Sequence, residues 1–310
     1  MRTLLATAAF VVASAAVYAA WPRPDAVRLS CPVQERTSPY PGMVWVPGGV
    51  FEMGGDVYPE EGPRKTVTVA GFWMDRTEIT NAQFADFVAA TGYKTVAERA
   101  VDPAQHPGLE TEPGAAVFTV PTGGSSIRDV ASWWRYTAGA NWRHPGGPQT
   151  DIRGKDHFPA SVLAYADALA YAAWKGRALP TEAQWEWASR GGVNGPQDPH
   201  RPPQEANTWQ GVFPVIDTAE DGFAGLAPVG CYGPNGYGLH DMIGNVWEWT
   251  SDAYRDGAPS PVLRRTIKGG SFLCAANFCM RYRSAARQGQ EEDLAASHLG
   301  FRTILAAPGP

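Results

Sequence analysis

Short apolar runs separated by turn residues dominate the first part of the folded chain. Four such runs lie at Val44–Val46, Val50–Met53, Thr66–Val69 and Phe72–Met74, with glycine, proline or charged residues between them. Each run has three or four residues and is rich in β-branched or aromatic side chains, which is typical of a strand bounded by turns. The sequence therefore predicts a β-rich region in this part of the chain.

Three segments carry the apolar spacing and the terminal signals of helices. Thr80 supplies an N-cap to a predicted helix over 81–91, and a glycine follows its last residue. A second helix, apolar or alanine-rich on nearly all faces, is predicted from about residue 161 to residue 175. A third, over 182–189, opens with a capping box. The pattern predicts no helix beyond residue 192.

Composition then narrows the fold class. Hydrophobic residues make up 44% of the 310 residues, which is enough for a sizeable core and excludes a disordered chain. The 34 glycines and 27 prolines exclude a helical bundle or a coiled coil. With 12 Trp, 11 Tyr and 12 Phe, the short elements are expected to be held together by aromatic side chains. One α+β domain over 42–306, followed by a tail at 307–310, is the simplest organisation.

Net charge excludes one class of partner. The formal charge is −5 and no long run of Lys or Arg occurs, so the sequence leaves no electrostatic footprint for nucleic acid.

The first 20 residues carry the pattern of an export signal. Arg2 is followed by an apolar stretch from Leu4 to Ala20 that ends in small residues, as in a secretory signal peptide. The alternative is an uncleaved N-terminal membrane anchor, because the stretch lies at the lower edge of the length that spans a bilayer. Both interpretations place the folded part outside the cytoplasm, periplasmic or secreted, after a proline-rich lead-in at 21–41.

Four cysteines carry the candidate chemistry. Cys274 and Cys279 lie five residues apart in a segment that begins with two glycines. This spacing permits a local disulfide, a soft-metal site for Cu(I) or zinc, or a redox-active thiol pair. The six histidines have no spacing typical of a zinc protease or a non-haem iron site. A disulfide between Cys31 and Cys231 is possible, but the sequence does not establish it.

Several motifs together resemble one enzyme family. They are GMVWVPGG at 42–49, FWMDRTEITN at 72–81, LPTEAQWEWA at 179–188, GNVWEWT at 244–250, GGSFLCAANFC at 269–279, RYRSAAR at 281–287 and LGFR at 299–302. They resemble successive blocks of the formylglycine-generating enzyme (sulfatase-modifying factor) family, from about Gly42 to Ile304. The resemblance implies an irregular, C-type-lectin-like α+β fold with a low content of secondary structure.

The same resemblance implies an activity. A family member is an oxidoreductase that uses O2 to convert a cysteine in a Cys-x-Pro-x-Arg motif of a sulfatase to Cα-formylglycine. Cys274 and Cys279 would then hold Cu(I), and the Ser271 hydroxyl would face oxygen or the substrate sulfur, although a turn-capping serine is the alternative. The expected partner of this monomer is an unfolded sulfatase, or another protein with the motif.

Calcium sites are also implied by the resemblance. The first would use oxygen atoms of Asn207, Thr208, Asp221 and Phe223. The second would use Asp241, Gly244, Val246 and Glu248, a run that on spacing alone is a satisfied surface turn. Both ions would be structural, joining loops in a fold with few regular elements.

An aromatic and basic cluster is the candidate peptide-binding surface. Trp133 and Trp134 would present ring faces to an extended peptide, with Arg143 and His144 near its carbonyl or acidic groups. The alternative is that these residues belong to the core and its rim. Four other arginines are expected to pair with buried carboxylates. They are Arg281, Arg283, Arg287 and Arg302.

Four positions depart from the family pattern. Ala275 stands where a histidine is common, Ser284 and Thr303 replace cysteines, and His298 replaces an asparagine. The sequence therefore leaves two alternatives to the oxidase. One is an exported superfamily relative with different oxidative chemistry, of the siderophore-maturation type. The other is a calcium-dependent binding module on the same scaffold.

Overall fold

The computed structural model describes most of the predicted domain. The described residues are 29–33, 37–100, 112–121, 129–191, 205–255, 263–306 and 308–310. The predicted signal peptide or anchor at 1–20 lies outside them, as does much of the lead-in at 21–41. Within the described residues, no helix is both long enough and apolar enough to span a membrane.

Three α-helices lie in the described part of the chain. They are α1 (Asn81–Thr91), α2 (Tyr165–Trp174) and α3 (Glu182–Ser189). The caps that predicted α1 and α3 are present: the Thr80 hydroxyl accepts from the backbone N–H of Gln83, and Thr181 does the same for Gln184. Because these caps satisfy backbone donors that lack helical partners, they fix where both helices begin.

The predicted start of α2 is wrong by four residues. Val162 adopts a left-handed φ of 60°, which a helix does not accommodate, so the chain stays non-helical up to Ala164. The cap is instead an acceptor inside the first turn: Asp167 Oδ2 accepts from the backbone N–H of Ala164 at 2.8 Å. The alanine-rich pattern did not reveal this local backbone geometry.

The strands are short and belong to several small sheets. They are β1 (Met43–Val46), β2 (Gly49–Met53), β3 (Lys65–Val69), β4 (Phe72–Asp75), β5 (Gly114–Phe118), β6 (Trp134–Ala138), β7 (Gly211–Val212), β8 (Ile216–Asp217), β9 (Trp247–Ala253), β10 (Arg264–Lys268), β11 (Arg287–Glu291), β12 (Leu299–Gly300) and β13 (Ile304–Leu305). The four strands predicted between residues 44 and 74 are confirmed.

Strand pairing brings the end of the chain back to its beginning. One sheet has the order β1-β4-β13, and a second has the order β11-β10-β9-β12, in which only the β9–β12 contact is parallel. Three further pairs, β2–β3, β5–β6 and β7–β8, are antiparallel hairpins or ribbons. This mixture of small sheets and few helices confirms the predicted α+β class.

Aromatic packing holds the helices to the irregular segments, as the composition predicts. Phe84 of α1 lies with its ring centroid 5.2 Å from that of Trp142 and 6.1 Å from that of Tyr171. Tyr171 in turn meets Phe301 at 5.3 Å. Such pairs contribute about 0.5–1.5 kcal/mol each beyond their buried area, so the rings supply much of the cohesion between α1, α2 and the end of the chain.

A disulfide joins Cys31 to Cys231, across 200 residues of sequence. The two Cα atoms lie 4.9 Å apart, within the normal range for a disulfide. The bond that the sequence left open is therefore present, and it attaches the lead-in to the loop that precedes Asp241.

The buried carboxyl group of Asp167 is expected to make the free energy of unfolding depend on pH. Burial raises its pKa from 3.8 to about 6, against the hydrogen bonds from Ala164, Val96 and Tyr93 that lower it. Because the native pKa exceeds the unfolded one, the native state binds more protons between these values, and stability falls as pH rises from about 4 to about 6. We expect this group to account for about 2–3 kcal/mol of that fall.

Denaturant unfolding at pH 4, 5, 6 and 7 checks this expectation. Asp167→Asn removes the titrating group, so the difference in unfolding free energy between wild type and variant should change across this window. A constant difference at all four pH values would contradict the assignment.

Candidate functional site

The cysteine segment leaves β10 through two glycines. Gly269 and Gly270 adopt left-handed φ angles of 96° and 76°. A Cβ atom on Gly270 would lie 3.1 Å from the carbonyl oxygen of Arg281, so a side chain would crowd the segment that follows the cysteine loop. The glycines therefore let the segment turn sharply and run beside the arginine block that follows it.

A tight loop brings the two cysteines together. The backbone N–H of Ala275 donates to the Phe278 carbonyl at 2.8 Å, and the N–H of Phe278 donates back at 3.1 Å. The Sγ atoms of Cys274 and Cys279 lie 2.9 Å apart, well beyond the ~2.05 Å of a disulfide bond. Cys274 is 1% exposed, whereas Cys279 is half-buried. The pair is thus unbonded, with Cys274 in the core and Cys279 nearer the surface.

The two thiols have opposite electrostatic environments. The hydrogen bond from Cys274 and the nearby Arg281 guanidinium lower the pKa of Cys279. Burial, and then the interaction with Cys279, raises the pKa of Cys274. Arg281 is itself fixed by Glu60, to which its Nε and Nη2 donate at 3.1 and 2.5 Å. The arrangement favours a thiolate at Cys279 that accepts from a Cys274 thiol.

The donor set fits Cu(I). Two sulfur atoms close together are the soft donors that this ion prefers, and apart from the cysteines themselves the charged side chain that acts on both of them is Arg281. Among the described residues, no group of three or more His, Cys, Asp or Glu side chains is arranged to hold a metal ion. The candidate copper site has two such side chains, Cys274 and Cys279.

Aromatic rings wall the cysteine loop. The Phe278 ring stacks on Phe213 with centroids 4.6 Å apart and an angle of 4°, and it meets the edge of Trp133 at 5.1 Å. Asn277 fastens the same contact, since its amide group bonds both the N–H and the carbonyl of Phe213 at 3.4 and 3.3 Å. These contacts therefore fasten the cysteine loop to the segment between β7 and β8.

The predicted peptide-binding cluster is partly core. Trp133 is only 4% exposed, as in the alternative that assigned it to the core. Trp134 is half-buried and packs against the His298 ring at 4.6 Å. Arg143 pairs with Glu98 at 3.1 Å and covers the ring of Trp142.

His144 makes a local contact, with Nδ1 2.6 Å from the Thr150 carbonyl. Since His144 and Arg143 are held by neighbours of their own, and Trp134 is covered on one face by His298, peptide binding by these three residues stays a prediction.

Ser271 is buried beneath the turn. Its hydroxyl oxygen accepts from the backbone N–H of Leu273 at 3.3 Å, and its carbonyl accepts from the N–H of Cys274 at 2.9 Å. This is the geometry of the turn-capping alternative. A direct role of the Ser271 hydroxyl in catalysis stays a prediction.

The first set of predicted calcium ligands comes together in space. Asp221 accepts from the backbone N–H of Thr208 at 2.9 Å through Oδ2 and from that of Phe223 at 3.1 Å through Oδ1. Asn207 lies beside them and donates to the Gly225 carbonyl at 2.8 Å. Since each carboxylate oxygen retains a further lone pair, the set fits an oxygen-bound cation.

In the second set of predicted calcium ligands, the hydrogen bonds of the two carboxylates are incomplete. Asp241 Oδ2 accepts from the N–H of Gly230 at 2.6 Å, but Oδ1 is buried without a partner. Glu248 is already paired: Arg302 donates to it at 2.7 and 2.8 Å, and the Trp185 indole donates at 2.8 Å. The unpartnered oxygen fits a hard cation, which would share Glu248 with the arginine.

Sequence analysis missed Glu78. Its side chain is completely buried, and neither carboxylate oxygen has a hydrogen-bond partner. The segment FWMDRTEITN marked it only as part of a family motif, and nothing in its spacing indicates that it lies close to Asp241, with which it interacts.

All four arginines pair with carboxylates, and the expectation of a buried partner is confirmed for three of them, whereas Glu60 is half-buried. The pairs are Arg281–Glu60, Arg283–Glu61, Arg287–Glu182 and Arg302–Glu248. Two of them anchor the segment after Cys279 to the turn at Pro59–Glu61, so the position of the cysteine loop depends on both.

Comparison with known proteins agrees with the motifs. Residues 30–307 match the family described as the sulfatase-modifying factor enzyme 1-like domain. A formylglycine-generating enzyme of Mycobacterium tuberculosis is 46% identical over 289 residues, which cover 84% of this chain and 97% of that protein. An inactive C-alpha-formylglycine-generating enzyme 2 of Mus musculus is 38% identical over 298 residues, covering 91% and 92%.

The fold is shared with a solved structure. PvdO from Pseudomonas aeruginosa superposes with a TM-score of 0.58 and 26% identity, over 84% of this chain and 93% of that one. The motif blocks, the fold and the match across residues 30–307 all agree. The chain therefore belongs to the formylglycine-generating enzyme (sulfatase-modifying factor) family.

Proposed function

We propose that this protein is a copper-dependent oxidase that converts a cysteine in a Cys-x-Pro-x-Arg motif of a sulfatase to Cα-formylglycine with O2. The observation that carries the proposal is the unbonded pair of Cys274 and Cys279, with sulfur atoms 2.9 Å apart. Similarity alone does not decide the activity, because a relative named as inactive is 38% identical over most of the chain. A binding module would leave this pair without a role.

Electron balance defines what the reaction needs. The substrate carbon loses two electrons when its C–S bond is replaced by C=O, and the sulfur leaves as hydrogen sulfide. O2 takes up four electrons when it is reduced to water, so a thiol reductant supplies the other two and becomes a disulfide. Bound by Cys274 and Cys279, Cu(I) would supply the O2 chemistry that side chains lack.

Side chains around Cys274 and Cys279 set the burial and the charge of the candidate copper site. Cys274 is held in the core, whereas Cys279 is half-buried, so a substrate thiol would approach the pair from the side of Cys279. Arg281, fixed by Glu60, stabilises negative charge on Cys279. The stacked rings of Phe278 and Phe213 hold the loop that carries both cysteines in place.

Two structural calcium ions and an exported location belong to the same proposal. The gathered oxygen atoms of Asn207, Thr208 and Asp221, and the unpartnered Oδ1 of Asp241, support the two calcium sites. The Cys31–Cys231 disulfide supports an oxidising compartment, since such bonds persist mainly in exported proteins.

A peptide assay tests the activity. We expect protein loaded with Cu(I) to convert a Cys-x-Pro-x-Arg peptide to the aldehyde, with O2 consumed and a thiol reductant present. A peptide with Ser in place of Cys is the matched control and should remain unchanged. If mass spectrometry finds no aldehyde although copper is verified as bound, the proposal is wrong.

A further inference from the structure

Cys279 has an unusual backbone conformation. Its φ is 58°, in the left-handed region that glycine adopts easily and that a residue with a side chain rarely adopts. Gly269 and Gly270, which open the same segment, turn in this region without a steric penalty, whereas the Cβ atom of Cys279 makes it unfavourable. Residues of this kind cluster at functional sites and persist only where surrounding contacts hold them. Neighbouring residues must therefore hold Cys279 in this conformation.

One such contact comes from Tyr58, which lies far from the cysteine loop in the sequence. The N–H of the peptide unit that follows Cys279 belongs to Met280, and it donates to the Tyr58 hydroxyl oxygen at 3.2 Å across 222 residues. The carbonyl of the same peptide unit, that of Cys279, accepts from the Arg281 N–H at 2.7 Å. Both polar groups of this peptide unit are engaged, which fixes its orientation relative to the rest of the loop.

The side chain of Tyr58 is itself fixed. The Tyr58 carbonyl accepts from the Glu61 N–H at 3.0 Å, which closes the turn at Pro59–Glu61. The guanidinium carbon of Arg281 lies 4.1 Å from the centroid of the Tyr58 ring, and that of Arg283 lies 5.7 Å from it. Such cation–π contacts are attractive within about 6 Å of the ring. The hydroxyl therefore accepts the hydrogen bond from a position that two arginines stabilise.

We propose that Tyr58 is a positioning residue for the cysteine pair: its hydroxyl holds the left-handed turn at Cys279 and so keeps the Cys279 sulfur beside that of Cys274. The two sulfur atoms lie 2.9 Å apart, and a pair that is already placed loses less freedom when it binds a ligand. Whereas the salt bridges of the following arginines hold side chains, Tyr58 bonds the backbone directly after Cys279. The role of Tyr58 in the reaction rests on the proposed function, in which both cysteines hold copper.

Binding of a trivalent arsenical by the full chain tests the proposal without copper. Phenylarsine oxide bonds two neighbouring thiols with release of water, and the other two cysteines form a disulfide, so its affinity reports on this pair. Tyr58→Phe removes the hydroxyl and keeps the ring that Arg281 covers. We expect about 10-fold weaker arsenical binding and a parallel fall in Cu(I) affinity, the scale on which indirect partners change metal binding. Arsenical binding as tight as in the wild type would overturn the proposal.

Tyr136→Phe is the matched control. The Tyr136 hydroxyl also bonds the backbone, donating to the Glu112 carbonyl at 2.8 Å, but it lies on β6. This variant should bind the arsenical and Cu(I) as the wild type does, and equal weakening in both variants would contradict a specific role of Tyr58. If Tyr58 were merely structural, Tyr58→Phe would have a lower melting temperature with both affinities unchanged, which would also contradict the proposal.

The measurements separate this inference from the proposed function. Wild-type protein that binds the arsenical but not Cu(I) would contradict the copper-dependent oxidase, and the arsenical affinities would still decide the role of Tyr58. If Tyr58→Phe does not fold, hydrogen exchange in the wild type replaces it. The Met280 amide should then exchange at least about 10-fold more slowly than in an unprotected chain, because it is bonded to the Tyr58 hydroxyl. Exchange at the unprotected rate would show that Tyr58 does not hold the turn.

Discussion

Replacing Cys274 or Cys279 with serine is expected to abolish copper binding and aldehyde formation while the fold stays intact. Each substitution removes one of the two sulfur donors, and a hydroxyl oxygen is a poor ligand for Cu(I). Since even indirect partners of a metal change its affinity by about 10–100-fold, loss of a direct ligand should exceed that range. Copper content, the rate of aldehyde formation and the melting temperature are the measurements.

The other two cysteines provide the control. The double variant Cys31→Ser and Cys231→Ser removes the disulfide but leaves the candidate site, so it should still bind copper. Full copper content in Cys274→Ser would contradict the assignment. Unfolding of both single variants would favour a structural disulfide between Cys274 and Cys279.

Replacing Arg302 with leucine should cause the largest loss of stability in this part of the fold. Arg302 is completely buried and pairs with Glu248 through two of its nitrogens. It also donates to the carbonyl oxygens of His240 and Asp241 at 3.0 and 3.3 Å. Removing one member of a buried ion pair typically costs about 3–5 kcal/mol, because the other charge remains buried.

Denaturant unfolding in parallel variants checks this prediction. Arg302→Lys keeps the charge but loses the two-pronged contact, so it should lie between wild type and Arg302→Leu. Arg153→Leu removes an exposed arginine that pairs with Asp151, and no measurable change is expected. If Arg302→Leu costs no more than Arg153→Leu, the buried pair does not stabilise the fold.

Local signals in the sequence predicted the regular elements well. Both helices with a threonine cap begin where the cap places them, because a cap acts on the backbone next to it. The predicted start of α2 was wrong because no local cap signal determines where that helix begins. The left-handed backbone at Val162 is imposed by the surrounding fold, and no residue in the local pattern announces it.

The site was predictable only as far as its residues are close in sequence. Cys274 and Cys279 share one short loop, so their spacing was enough to bring them together. Glu78 and Asp241 meet across more than half of the chain, and a single sequence contains no signal for that contact. The same holds for Glu60, whose pairing with Arg281 positions the segment after the cysteine loop.

Because the folded protein contains the Cys31–Cys231 disulfide and two free cysteines, we expect the order of folding and oxidation to determine which disulfide forms. Four thiols permit three complete pairings, and each of them consumes both Cys274 and Cys279. The form proposed to bind copper instead has the Cys31–Cys231 bond, which closes the long loop, and leaves Cys274 and Cys279 unbonded. In an unfolded chain, closing five residues rather than 200 is favoured by roughly 3 kcal/mol of loop entropy. Oxidation before folding would therefore bond Cys274 to Cys279 and yield protein that cannot take up copper, whereas samples that fold first should contain the competent form.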